Sequence, residues 1–317
     1  MSNFLEIAEQ YKNGEISSED PRLKKAELLI AEIVATEEGK KELAEIIGIT
    51  LQNNMNFIDL ATMLTTSRHF NLGENPEFRT KKKGIKAYFI APNSSTPKSR
   101  NYDSVMRMEF ETLSVRPECL LDDLETGRVG SLLELIQDGQ EALRIAIVKK
   151  IVTILDQVYN ETNNTNNYFL DTPALNADTL KKAINQARYK NGGKVTIFGD
   201  EMLINQITEF EGFTEATQNE IMKTGKIGIY YGANIVSVRE MYDEANDESV
   251  LPKNKIYIIS DKIGYSATYG KIKSGQETSI EDWTWNARYD MEWGMAVTNP
   301  KAMAIIEIDE GTPEVTP

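Results

Sequence analysis

The residue types that could do chemistry are few. The chain holds one histidine, His69, and one cysteine, Cys119. A Ser–His–acid triad or a Cys–His pair would have to run through His69. Its setting, Thr65-Thr66-Ser67-Arg68-His69-Phe70, offers no nucleophile elbow and reads as a structural or surface histidine. Cys119 lies between Glu118 and Leu120-Leu121, without the cationic setting that lowers a thiol pKa, and reads as a small core residue. One cysteine excludes an intrachain disulfide and a thiolate-rich zinc or iron–sulfur site, and one histidine excludes a multi-histidine metal centre within a chain. Asn191-Gly192-Gly193-Lys194 lacks the leading glycine and trailing Lys-Ser/Thr of a phosphate-binding loop, so a helix cap explains its glycines. Tyr231-Gly232-Ala233 reads as a turn between two strands. The acidic pairs Asp122-Asp123, Asp243-Glu244 and Asp247-Glu248 show no calcium-loop ladder and read as exposed turns. The aromatic run Trp283, Trp285, Tyr289 and Trp293 fits either a stacking platform or a packed core, and Trp283 and Trp285 share one face if both lie on a strand. No cofactor, metal or catalytic residue is expected.

Bulk properties narrow the classes further. There are 317 residues, with 35 Lys+Arg against 49 Asp+Glu and a net charge of −14. That length suggests two domains or one large composite one, long enough to bury a sizeable core without staples. The acidic balance argues against a general nucleic-acid binder, which needs surplus cations. The N-terminus lacks both the positive start and the apolar run of a secretory signal. The apolar stretch 143–158 is interrupted by Arg144, Lys149, Lys150 and Asp156, so no membrane span is expected and the cytosol is the default compartment.

Charge is distributed unevenly. Residues 1–60 hold 12 acids and 6 bases and read as acidic helices, with helical spacing from Leu23 to Val34 and again over Leu43, Ile46 and Ile47. Residues 79–107 reverse the sign, with eight Lys/Arg against Asp103 alone, a net of +7. Within this island Ile85–Ile90 and Val105–Phe110 read as two strands of a long hairpin with a loose tip. An isolated two-stranded ribbon is marginal in water, so something must cover it. Ser131–Tyr159 reads as one long helix that Gly139 could kink, ended by the asparagine-rich 160–167. Residues 168–260 read as a compact α/β unit: a helix over Asp178–Tyr189, a strand over Lys194–Phe198, a helix from Gly199-Asp200 to Phe210, then strands at Lys226–Tyr231, Asn234–Val238 and Lys255–Ser260. Ser266–Ile272, Thr278–Tyr289, Gly294–Val297 and Ala302–Ile308 read as a strand-rich return.

In this order the parts resemble the major capsid protein of tailed bacteriophages, the Hong Kong 97-type fold. The phrase Thr224–Val236 is similar to that family's Gly-punctuated axial-domain strand pair. Asp282–Ala302 resembles its closing segment, in which an aromatic strand leads into a Gly-x-x-Val-x-Asn-Pro turn (Gly294, Val297, Asn299, Pro300). The resemblance covers about residues 60–310 and implies an α+β fold. Its parts would be an acidic helical N-arm (1–75), an extended E-loop hairpin (76–116), a peripheral domain with a long spine helix (117–165), an α/β axial domain (166–262), peripheral-domain return strands (263–310) and a loose tail (311–317).

What the resemblance implies for function is a structural subunit, not an enzyme. It would assemble with itself as hexamers and pentamers into an icosahedral shell that encloses double-stranded DNA without sequence-specific binding. The shell would be built in the bacterial host cytoplasm and end as the virion capsid. The E-loop would lie across a neighbouring subunit, which makes Lys81, Lys82, Lys83, Lys86, Lys98, Arg100 and Arg107 the expected inter-subunit interface. With about 65 residues before the E-loop, a separate scaffold protein or no cleavage is expected, and a separate portal protein with it. Lys98 and Asn299 are the pair available for a lysine–asparagine cross-link of the kind some members make, against the plainer reading of two solvated polar residues. The alternatives are an encapsulin-type compartment, an acid-rich α/β carbohydrate enzyme using Trp283, Trp285 and Trp293, and a tail or baseplate building block.

Overall fold

The computed structural model describes residues 10, 15, 20–54, 59–82, 84–87, 95, 97–126, 129–191, 193–207, 210, 229–237, 242–243 and 246–309. Helix α1 (Pro21–Val34) begins where its sequence says it should: Asp20 accepts the Arg22 backbone N–H at 2.8 Å, and Pro21 takes the first position, where no donor is lost. Thr36 caps α2 (Glu37–Asn54) by accepting the Gly39 N–H at 3.0 Å. The short α3 (Asp59–Leu64) runs into strand β1 (Thr65–Phe70). Strands β2 (Glu77–Lys82) and β3 (Tyr102–Arg107) form a ribbon of their own, followed by β4 (Glu111–Val115), β5 (Glu118–Leu120) and helix α4 (Leu121–Glu125). Helix α5 (Val129–Val158) is continuous over 30 residues, about 45 Å, and passes through Gly139 unbroken.

The second half adds β6 (Tyr168–Asp171), α6 (Ala177–Asn191), β7 (Val195–Gly199) and α7 (Glu201–Gln206), the last capped by Asp200. Then come β8 (Ile229–Tyr230), β9 (Ala233–Ser237), β10 (Tyr242–Asp243), β11 (Glu248–Ser249) and β12 (Lys255–Ile259). Two long strands, β13 (Gly264–Ser279) and β14 (Thr284–Val297), precede the closing β15 (Met303–Ile308).

These strands make two main sheets. In the first, the order is β1-β13-β14-β4, with β5 also paired to β14; β1 runs parallel to β13 and the other pairs are antiparallel. In the second, the order is β6-β15-β12-β7-β9-β8, parallel at β6–β15 and β7–β9. Helix α6 lays Leu180, Ala183, Ile184 and Ala187 on the second sheet. Helices α1 and α2 cover the far part of the first sheet, where Leu23, Ile47 and Leu51 share a cluster with Trp285, Ala287 and Tyr289. One cluster joins both sheets: Ile147, Ile151 and Leu155 of α5 meet Met291 and Trp293 on one side and Phe198, Tyr257 and Ile305 on the other.

The turn after β14 is the joint between these parts. The N–H groups of Thr298 and Asn299 both donate to the Ile263 carbonyl, at 2.9 and 2.8 Å. The Pro300 carbonyl then accepts from the Tyr159 hydroxyl at 2.8 Å and from Asn167 Nδ2 at 3.3 Å. One Asn-Pro turn thus ties the end of α5 to both sheets. Burial holds the Tyr159 hydroxyl protonated well above the ordinary tyrosine range.

A second tie joins α5 to the β10–β11 ribbon. Lys149 Nζ donates to Asp243 Oδ2 and Glu248 Oε1, each at 2.6 Å, and Asn246 Nδ2 also donates to Asp243, at 2.8 Å. Hydrogen bonds from Lys149 and then Asn246 lower the Asp243 pKa from 3.8 to about 2. A carboxylate depressed in the folded state contributes stability above its unfolded pKa and loses it as pH falls through the folded value. Asp243→Asn is therefore expected to unfold at lower urea than wild type at pH 7. That gap should close as pH falls from 3.8 to about 2, a trend read from denaturation midpoints across that window.

Several boundaries differ from the sequence expectations. Ile85–Ala87 form no strand, and 88–90 lie outside the described residues; the first ribbon strand is β2 instead. The second lies at 102–107 rather than 105–110. The segment Thr278–Tyr289 is two strands parted by a turn at Ile280–Trp283. Helix α7 ends at Gln206, and of Lys226–Tyr231 only Ile229–Tyr230 is described as strand.

Candidate inter-subunit interface

The ribbon is anchored at its base. Phe78 and Met108 are buried against Ala267, with Phe70, Phe110, Tyr265 and Ala296 around them. The Phe78 ring stacks on Tyr265 at 4.3 Å between centroids and meets Phe70 edge-on at 5.4 Å. Arg68 closes the top, its guanidinium 5.5 Å from the Phe78 ring centre and 5.8 Å from that of Tyr265. Gly294 permits this approach: a Cβ there would stand 2.4 Å from the Glu109 carbonyl oxygen. Beyond the base every residue of β3 is exposed among the described residues.

Six of the seven cationic residues expected from the sequence lie on this ribbon or beside it among the described residues. Lys81 and Lys82 lie in β2, in register with Asp103 and Tyr102, while Lys83 lies outside the described residues. Past the strands Gly84 and Lys86 face Asn101 and Ser99. The Gly84 N–H donates to Asn101 Oδ1 at 3.0 Å and the Lys86 N–H to Ser99 Oγ at 3.1 Å. Lys86, Lys98 and Arg100 are exposed, and the Arg100 guanidinium lies 5.2 Å from the Tyr102 ring centre. Arg107 is exposed at the base and donates to Glu77 Oε1 at 3.1 Å. Arg79, of the same island, is exposed beside them. Arg68 and Glu77 escaped the sequence reading because their partners come from across a strand pair or sheet. No local signal marks either.

The chemistry-bearing types are dispersed. His69 is exposed on β1, its Nδ1 2.9 Å from Thr268 Oγ1. Asp122 lies in the first turn of α4 and Asp243 in the Lys149 contact. Among the described residues no three His, Cys, Asp or Glu side chains are gathered to hold a metal ion. The tryptophans form no platform: Trp285 is fully buried with α1 and α2, Trp293 packs in the cluster that joins the sheets, and Trp283 stands in the turn, 65% exposed. The expectation that Trp283 and Trp285 share a strand face fails because Trp283 is the last residue of the hairpin turn and only Trp285 lies on the strand.

Cys119 is half-buried beside Tyr289. Burial first, then the nearby Asp123 and Glu118 carboxylates, push its thiol up to about 11. Thiolate is the reactive form. Against the ordinary value of 9.0 its fraction at pH 8 falls by roughly a hundredfold. Native protein should therefore react with a thiol reagent about a hundredfold more slowly than urea-unfolded protein at that pH. Equal rates would contradict this setting.

In structure the chain is similar to a protein of Gordonia phage Cozz, with 12% identity, a TM-score of 0.56, and coverage of 79% of this chain and 86% of that one. It is similar to the mature capsid of bacteriophage PhiM1 at 9% identity and a TM-score of 0.53, covering 81% and 88%. It also resembles a virus-like particle from Pyrococcus furiosus at 12% identity and 0.51, covering 83% and 98%. At these identities the likeness is one of fold, the Hong Kong 97-type α+β fold that the resemblance implied. No curated protein matches in sequence. A family model described as "SPbeta prophage-derived putative capsid protein YonB" matches residues 40–307. With most of its length accounted for by that model, the chain belongs to the YonB family of phage capsid proteins, and its role is that of a structural major capsid protein rather than an enzyme.

Proposed function

We propose that copies of this chain assemble as hexamers and pentamers into an icosahedral shell around double-stranded DNA, and that the β2–β3 ribbon lies across a neighbouring copy. The exposed ribbon carries this reading. Seven net positive charges and the exposed apolar residues Ile85, Tyr102 and Val105 stand on a two-stranded arm that, among the described residues, packs at its base. Such an arm has too little apolar surface to be stable in water alone, while the acidic remainder of an identical copy supplies complementary charge. Lys81, Lys82, Lys83, Lys86, Lys98, Arg100 and Arg107 form the cationic side of that contact. Separate scaffold and portal proteins, and assembly in the host cytoplasm, complete the reading.

Electron microscopy of the expressed protein tests it. Icosahedral particles are the expected image. Tubes or rings would point to a tail component, and only small species at high concentration would overturn the proposal. An encapsulin-type compartment remains the second reading, favoured by the likeness to the Pyrococcus furiosus particle. Packaged enzyme instead of DNA would select it.

A further inference from the structure

The second sheet ends in a strand with one open side. Strand β6 pairs with β15, and among the described residues no strand lies against its other side. The Asp171 carbonyl accepts the Asp309 N–H at 2.9 Å. Backbone groups alternate sides along a strand, so Phe169 and Asp171 bond inward while the N–H and C=O of Tyr168 and Leu170 point to the open side. Such an edge is a template for one more strand. A groove lies on each face beside it. On the α6 face, Asn166, Phe169, Lys182, Asn185 and Tyr189 line a groove of about 650 Å³, closed below by the Gln186 Nε2 bond to the Asn166 carbonyl at 3.1 Å. On the opposite face, Tyr168, Leu170, Glu161, Glu307, Asp309 and Lys253 line one of about 570 Å³, where Leu170 is 49% exposed. Neighbouring side chains of one strand thus enter two grooves, the arrangement in which an added strand takes affinity from its backbone and specificity from its side chains.

The grooves differ in charge. Residues 179–199 hold five Lys or Arg and no acid. The acids nearest the α6 groove are engaged: Asp178 stands 3.8 Å from Lys181, and buried Asp171 accepts the Asn176 N–H at 2.9 Å. The opposite groove has three acids against Lys253, with Lys255 behind them held by Asp156 at 2.8 Å and Glu307 at 3.3 Å. An added strand must turn acids or hydroxyls to α6, apolar side chains to Leu170, and a donor to β6 at every bonding position. The terminal residues Glu310-Gly311-Thr312-Pro313-Glu314-Val315-Thr316-Pro317, outside the described residues, alternate in that way. Their even positions are Glu, Thr, Glu and Thr, all with N–H groups, and both prolines fall on odd positions, where no ladder bond is lost. Direction follows from the hand of L-residues. A strand parallel to β6 that bonds through its even positions turns those side chains to α6 and Val315 to Leu170; an antiparallel one turns the glutamates to Glu161 and Glu307. The chain's own tail leaves β15 beside Asp171, at the end of β6, and so returns along β6 only antiparallel. We infer that the open edge of β6 is the seat for residues 310–317 of a second copy, added as a parallel strand. This deepens the shell-subunit reading and rests on it, since a tail lodged in a neighbour is a head-to-tail contact between identical copies.

The test uses full-length chains in a Cys119→Ala background, one carrying Leu170→Cys and the other Val315→Cys, co-assembled and treated with a short bis-maleimide. A cross-linked dimer is expected from the mixed particles and from neither variant alone. No dimer from mixed particles, or a dimer from Val315→Cys alone, overturns the seat. If the cysteines prevent assembly, a charge exchange decides. Lys182→Glu, and separately Glu310→Lys with Glu314→Lys, should each lower particle yield by about tenfold at unchanged melting temperature, and combining them should restore it. Unchanged yield in the single exchanges, or no recovery in the combination, overturns the seat. Wild-type protein that forms no particles would instead defeat the shell reading, so the two failures are distinguishable.

Discussion

Replacing Lys81, Lys82 and Lys83 together with glutamine is expected to give a subunit that folds as wild type but assembles poorly, or only at altered salt. The substitution lowers the net charge of the 79–107 island from +7 to +4. The hydrophobic clusters lie elsewhere, so melting temperature should barely move. Assembly is another matter. Complementary charge steers encounter and fixes register, and steering raises association rates by tenfold or more at low salt. Losing three of eight cations should slow particle formation by about that factor and flatten its salt dependence, since exposed charges are screened over about 8 Å at physiological ionic strength. Light scattering against salt concentration reads both effects. Unchanged kinetics would refute the role given to the basic ribbon.

Trp285→Ala is expected to cost about 3–5 kcal/mol of folding stability, the range for deleting a fully buried large aromatic. Its indole is enclosed by the residues of α1, α2 and β14, and its Nε1–H donates to Gln276 Oε1 at 3.2 Å. Truncation leaves a cavity and an unpaired amide oxygen where the N-terminal helices meet the sheet. Trp283→Ala, two residues earlier, removes the same side chain from solvent and should change stability by no more than about 0.5 kcal/mol. Urea denaturation of the pair measures the contrast directly. Equal losses would contradict the burial of Trp285 and the exposure of Trp283.

That contrast also marks where the sequence stops being readable. Helix α5 was legible to within two residues, because apolar positions from 132 to 158 keep a helical period and the asparagines after it break it. The Asn299-Pro300 turn was legible as a motif, though its bonds to Ile263, Tyr159 and Asn167 come from far along the chain. The β13–β14 turn was not. Ile280-Glu281-Asp282-Trp283 carries no glycine or proline, and a tryptophan is a poor predictor of a left-handed residue.

The ribbon was legible as a charged hairpin but not in its register. The apolar run at Ile85–Ile90 looks like the better strand, yet pairing starts eight residues earlier, where Phe78 can bury itself on Tyr265. That choice is made by β13, nearly 190 residues away, and no local pattern carries it. The cations of the ribbon were readable from the sequence alone.

Hydrogen–deuterium exchange of residues 97–107, followed in dispersed subunits and in particles, tests most directly whether the arm comes to rest on another copy. Fast exchange in the subunit, and strong protection that appears only on assembly, is the result expected. Protection already complete in a small species that never grows with concentration would contradict it.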